Sequence, residues 1–191
     1  TAWWMTTDGP GATCPGGQQD PAARLDALVW LDPASDRDVA LWRDIRLEML
    51  TVAPGAFGST LAEHEGRSLD EWRGQVASPV LETVVAVRHG LPVGAARLMR
   101  PGDGLPAELI SMYVAPAHRG AGLARRIVEA VLERARELGE PTLRLDVMED
   151  NPAARRLYES CGFTAQGPAV PAHPEDPSDP RVELPMLVHL R

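Results

Sequence analysis

The stretch AELISMYVAPAHRGAGLARRIVEAVLERARELG (107–139) constrains this chain more than any other. A run of strand character ends at Pro116, and two glycines, Gly120 and Gly122, follow among arginines. From there Leu123, Ile127, Val131 and Leu138 mark one face of a helix that stops at Gly139. A strand that turns through glycines into a helix gathers unpaired backbone N–H groups and the positive helix end at one spot. Glycine lets an anion approach the backbone closely. The loop is therefore a candidate phosphate cradle.

The flanking segments fit a fold that alternates strands and helices. LDALVWLD (25–32) reads as a first strand, and Ser35 or Asp36 caps a helix to about Leu50. Ser68-Leu69-Asp70-Glu71 resembles a capping box before a short helix. LETVVAVRH (81–89), a Gly90-Leu91-Pro92 turn and VGAARLMR (93–100) read as a hairpin, with AELISMYVA (107–115) as the next strand. TLRLDVMED (142–150) alternates as a strand, and Asn151-Pro152 opens a helix to Gly162. FTAQG begins another strand, a proline-rich loop spans 168–180, and VELPMLVHL (182–190) ends the series. The expected fold is one α/β (α+β) domain over 25–191, with a mixed, mostly antiparallel sheet of six to seven strands and about four helices. Residues 1–24, rich in Gly, Pro, Thr and Gln, read as a flexible leader.

Composition removes several classes. The net charge of −8 argues against a nucleic-acid binder and suits a cationic small molecule. No apolar run approaches the ~20 residues of a membrane span, and no basic n-region marks a signal peptide. Cys14 and Cys161 make no disulfide framework, so a cytoplasmic protein is expected. His64, His89, His118, His173 and His189 show no metal spacing, and no metal is expected. All 19 basic residues are arginine, which removes a Walker lysine and a Schiff-base lysine. A dinucleotide fingerprint fails at its third glycine, where Arg125 stands.

Arg119-Gly120-Ala121-Gly122-Leu123-Ala124 resembles the Arg/Gln-x-x-Gly-x-Gly/Ala signature of the Gcn5-related N-acetyltransferases (GNAT). LRLDVMEDNPAARRLYESCGF (143–163) resembles that family's strand–Asn–helix–Tyr–Gly–Phe block. The resemblance covers about 25–191. It implies acetyl-CoA as cosubstrate, its pyrophosphate held by Arg119, Gly120, Ala121, Gly122, Leu123 and Ala124, mostly through backbone N–H. It implies a bulged fourth strand splayed from the fifth, with the pantetheine arm paired to the backbone at Met112 and Val114. Asn151, the one asparagine in the chain, caps its helix and can contact the cosubstrate in the family. Tyr158 matches the family's acid, and Cys161 is assigned to packing. Glu108 is the candidate base, since some relatives carry a glutamate there. Counting by twos puts Glu108, Ile110, Met112 and Val114 on one face.

The resemblance implies direct acetyl transfer to an amine. It frames the acceptor with about 38–77 and 166–181. Glu63, Glu65, Asp70, Glu71, Glu175, Asp176 and Asp179 in those segments are candidates for an acidic mouth, and Phe57 and Trp72 for the pocket lining. A small-molecule amine, including an antibiotic, and a peptide amine both stand as acceptors. A non-catalytic acyl-CoA-binding module stands as the alternative to an enzyme. A homodimer is compatible with the family, and neither a nucleic acid nor a membrane partner is expected.

Overall fold

Among the described residues, the polar ends and apolar faces read above become eight strands and four α-helices. The structure, a computed structural model, describes residues 25, 27–54, 59–102, 104–174, 176 and 178–190. The expected leader (1–24), Phe57 and Glu175 lie outside the described residues. In chain order the elements are β1 (Ala27–Trp30), α1 (Asp36–Val52), α2 (Leu69–Val76), β2 (Leu81–Arg88), β3 (Leu91–Met99) and β4 (Ala107–Val114). There follow α3 (Leu123–Glu137), β5 (Thr142–Met148), α4 (Pro152–Ser160), β6 (Thr164–Ala165), β7 (Val170–Pro171) and β8 (Val182–His189). The sheet order is β1-β2-β3-β4-β5-β8-β6, with β7 also on β8, and β4–β5 is its parallel pair.

Local chemistry sets the helix starts. Ser35 accepts from the Asp38 N–H, and Ser68 with Glu71 closes a reciprocal capping box. Asn151 Oδ1 accepts from the Ala154 N–H at 3.0 Å, with Pro152 at the first helical position. The hairpin differs from expectation. Its turn is His89-Gly90, both with positive φ (51° and 76°), and Leu91 and Pro92 already belong to β3. Pro92 has no N–H for the ladder, and it sits where β2 and β3 shift register between Ala86 and Val87.

Two cores sandwich the sheet. One packs α3 and α4 residues such as Ile127, Val131 and Tyr158 against Ala96, Leu98, Leu109, Leu143 and Leu145. The other packs Val39, Trp42, Ile45 and Trp72 against Val85, Ala95 and Tyr113. Gly94 is needed at the first layer: a Cβ there would stand 2.9 Å from Ile127 Cδ1 and 3.0 Å from the Tyr113 carbonyl oxygen. The missing side chain lets α3 lie close on β3. No helix among the described residues is long and apolar enough to cross a membrane.

Candidate active site

β4 is the element that shapes the site. Opposite Ala96 of β3 it carries two residues, Ser111 and Met112, and Ser111 has φ 52°. This is a β-bulge, and an extra residue reverses the facing of everything beyond it. The expected parity therefore fails. Met112 and Val114 join Ala107 and Leu109 in the α3–α4 core, whereas Glu108 and Ile110 point to the α1–α2 side. Tyr113 joins the core beneath α1, and its hydroxyl donates to Glu48 Oε1 at 2.9 Å.

β4 pairs with β5 only at Ala107↔Leu143 and Glu108↔Arg144. Beyond that rung the two strands part. Backbone groups of β4 past the bulge, Met112 and Val114 among them, border the opening rather than a ladder with β5. An opening of this kind can accept an extended chain as a strand would be accepted.

The glycine loop stands at the end of β4. Arg119 Nε donates to the Val114 carbonyl at 3.0 Å, which braces the loop on the strand. His118 Nδ1 lies 2.9 Å from Arg88 Nη1. Burial, and then the charge of Arg88, hold that imidazole below its ordinary range, so the ring suits an acceptor. Gly122 is the N-cap of α3 in the left-handed region (φ 76°), and no side chain caps the helix. Gly120, Ala121 and Gly122 are exposed, and a Cβ at either glycine would meet nothing within 4 Å. Leu123 turns its side chain into the core, leaving its N–H at the helix start. An open, uncapped helix N-terminus with Ala124 in its first turn fits a phosphate group. Arg125 is engaged elsewhere, by Glu129 (2.8 Å) and the Ser160 carbonyl (3.1 Å), while Arg126 is exposed.

Tyr158 and Glu108 lie on opposite faces of the sheet, Glu108 on the last rung before the opening. Tyr158 is 2% exposed and meets Phe163 edge-on at 5.8 Å. Its hydroxyl has no hydrogen bond among the described residues. Burial, and then Cys161, push its phenol well above the usual range. Burial likewise raises the Cys161 thiol, and its ring of neighbours is packing. Glu108 is held above the ordinary carboxyl range chiefly by burial, against the lowering influence of Arg144. Arg97, opposite Ile110, shares that face. It donates to Thr83 Oγ1 (3.1 Å) and the Gln75 carbonyl (2.8 Å), and lies 4.9 Å over the Trp42 ring.

Five of the acidic groups expected at a mouth have local partners. Glu63 accepts from the Thr60 N–H, Glu71 caps α2, Asp70 pairs with Arg73, Asp176 accepts from Ser178, and Asp179 pairs with Arg181. Trp72 is core, stacked at a tilt on His64. Acidity gathers in the floor, where Glu108 and Asp146 flank Arg144, with Glu183 of β8 near enough to act on that guanidinium. Arg144 and Asp146 were not singled out in the sequence. Their signal was two charged residues at alternate positions of an internal strand, which marks one face as open.

Comparison with known proteins agrees with this geometry. The model of the acetyltransferase (GNAT) family matches residues 42–163. The L-methionine sulfoximine/L-methionine sulfone acetyltransferase of Salmonella typhimurium is 32% identical over 136 residues, 69% of this chain and 70% of that one. A Salmonella typhimurium acetyltransferase, yncA, solved with its cofactor acetyl-CoA, superposes with a TM-score of 0.68 at 23% identity, over 86% of this chain and 94% of that one. Nourseothricin acetyltransferase is 30% identical with a TM-score of 0.53, over 59% of this chain and 67% of that one. The chain belongs to the GNAT family and is an N-acetyltransferase of that family.

Proposed function

We propose that this enzyme transfers the acetyl group of acetyl-CoA to a primary amine of a small, cationic molecule, by direct attack within a ternary complex. One observation carries the reading: Glu108 stands on the last rung before β4 and β5 part, and Tyr158, whose hydroxyl has no hydrogen bond among the described residues, packs on the opposite face of the sheet. Acetyl transfer to an amine needs a proton taken on the side of attack and a proton given on the side of departure. The two faces supply one each.

Acetyl-CoA brings the thioester to this gap. The N–H groups of Gly120, Ala121, Gly122, Leu123 and Ala124 would hold its diphosphate, with Arg119 bracing the loop and Asn151 at the neighbouring helix start. The β4 backbone at Met112 and Val114 would pair with the arm, and an N–H there can face the carbonyl oxygen as negative charge develops. Glu108 takes a proton from the acceptor's ammonium and frees its lone pair. The Tyr158 hydroxyl gives its proton to the departing sulfur. A desolvated phenol lacking a partner holds that proton until a strong acceptor is beside it.

The net charge of −8 and the acidic floor favour a cationic acceptor. Two relatives' names support a small molecule, one being named for L-methionine sulfoximine and another for nourseothricin, while a third is named an N-alpha-acetyltransferase, which fits a peptide amine. Labelled acetyl-CoA incubated with a pool of amino acids, polyamines, aminoglycosides, other antibiotics and peptides tests this by mass spectrometry. Label on a small amine is the expected result. Label on peptides alone would overturn the substrate class, and bound acetyl-CoA with no product would favour a binding module.

The cradle gives a separate prediction. Gly122→Ala puts a side chain in a left-handed conformation costing roughly 1–2 kcal/mol. The loop should relax away from its present geometry, and the Kd for acetyl-CoA should rise about tenfold by calorimetry. An unchanged Kd would remove the α3 N-terminus from the binding site.

A further inference from the structure

Leu143, Leu145 and Val147 of β5 enter the core beneath α3, so Arg144 and Asp146 turn to the acceptor face. Glu108 sits beside Arg144 on the last rung before β4 and β5 part. Arg144 Nη2 pairs with Asp146 Oδ2 at 2.7 Å, and Arg144 Nε stands 3.6 Å from Glu108 Oε1. The Glu108 and Asp146 carboxyl groups thus flank one guanidinium on the same face. Both are largely buried, with side chains 16% exposed. Arg144 gives its short, charge-assisted bond to Asp146 and stands farther from Glu108, so Glu108 is the carboxyl left with a raised proton affinity.

We propose that Asp146 and Arg144 are positioning residues for Glu108, forming a carboxyl–carboxyl–guanidinium triad in which Asp146 keeps the ion pair and Glu108 is left to take the acceptor's proton. The inference rests on Glu108 being the base. It assigns a job to two residues that touch neither reacting atom.

The two partners act on Glu108 in opposite directions. The Asp146 carboxylate and burial favour its protonated form, and the Arg144 charge favours its ionised form. Other charged groups on this face have their own engagements. Glu183 of β8 acts on Arg144, and Arg97 of β3 is bonded to Thr83 and Gln75.

Carbon-13 NMR titration of the carboxyl groups in the full chain tests the triad, with the Glu108 signal identified by its loss in Glu108→Gln. In Asp146→Asn the midpoint of Glu108 should fall, and in Arg144→Gln it should rise, each by about one pH unit. Arg144→Lys keeps the charge and should restore the wild-type midpoint, which covers a poorly folded glutamine variant. Equal midpoints, or shifts in the same direction, would overturn the proposal. Failure of the base reading looks different: Glu108→Gln would then keep full turnover of the acceptor, whatever the midpoints do.

Discussion

Glu108→Gln is expected to lower kcat/KM by roughly 10²–10⁴-fold, the usual contribution of a positioned general base. It should also flatten the acid limb of the pH profile, measured on the acceptor that the labelling screen returns. Glutamine keeps the shape and a hydrogen-bonding oxygen but cannot take a proton. The wild-type limb should lie above the ordinary carboxylate range, because burial raises Glu108. Stability must move the other way for the result to be read as chemistry. A carboxyl whose folded pKa is raised binds more protons folded than unfolded, so its contribution is present at low pH and lost as pH rises through the folded value. Glu108→Gln cannot ionise, so above that value its Tm should equal or exceed the wild type's. A variant with lost activity and a lowered Tm at pH 8 would point to misfolding, and one with an intact limb would remove Glu108 from the reaction.

How much of this was legible follows from how far each signal reaches along the chain. Ser35, Ser68 and Asn151 were readable because a cap is decided within four residues, and each lies where its spacing placed it. The glycine loop was readable for the same reason. The bulge at Ser111 was not, because ELISMYV counts as a regular strand until a partner strand supplies one residue against two. That one residue sends Met112 and Val114 to the face opposite Glu108, and it makes a two-sided site out of what counting by twos had put on one side. The hairpin turn was misplaced by a proline whose cost the neighbouring register shift absorbs. The acidic floor was missed for a related reason: Glu108 and Asp146 are 38 residues apart in sequence and meet only through the single parallel pairing of the sheet. Glu63, Glu71 and Asp176, exposed acids to which composition pointed, have partners within a few residues, an arrangement that local turns and helix ends favour.

Tyr158 separates packing from chemistry with two substitutions. Tyr158→Ala should cost about 3–5 kcal/mol, the range for emptying a large aromatic from a core, since the ring is 2% exposed among Phe163 and the α3–α4 layer. Tyr158→Phe keeps the ring and removes only a hydroxyl with no protein partner among the described residues. Its loss should leave the Tm within a degree or two, because a hydroxyl with no protein hydrogen bond has none to lose. The rate should respond differently. If the hydroxyl protonates the departing sulfur, kcat should fall by about 10²-fold while the Kd for acetyl-CoA is unchanged. A Phe variant with wild-type kcat would make Tyr158 a core residue whose phenol is incidental. In that event the departing sulfur would have to leave as the thiolate or take its proton from water. The base on the other face would then be the site's one proton-transfer group contributed by a side chain.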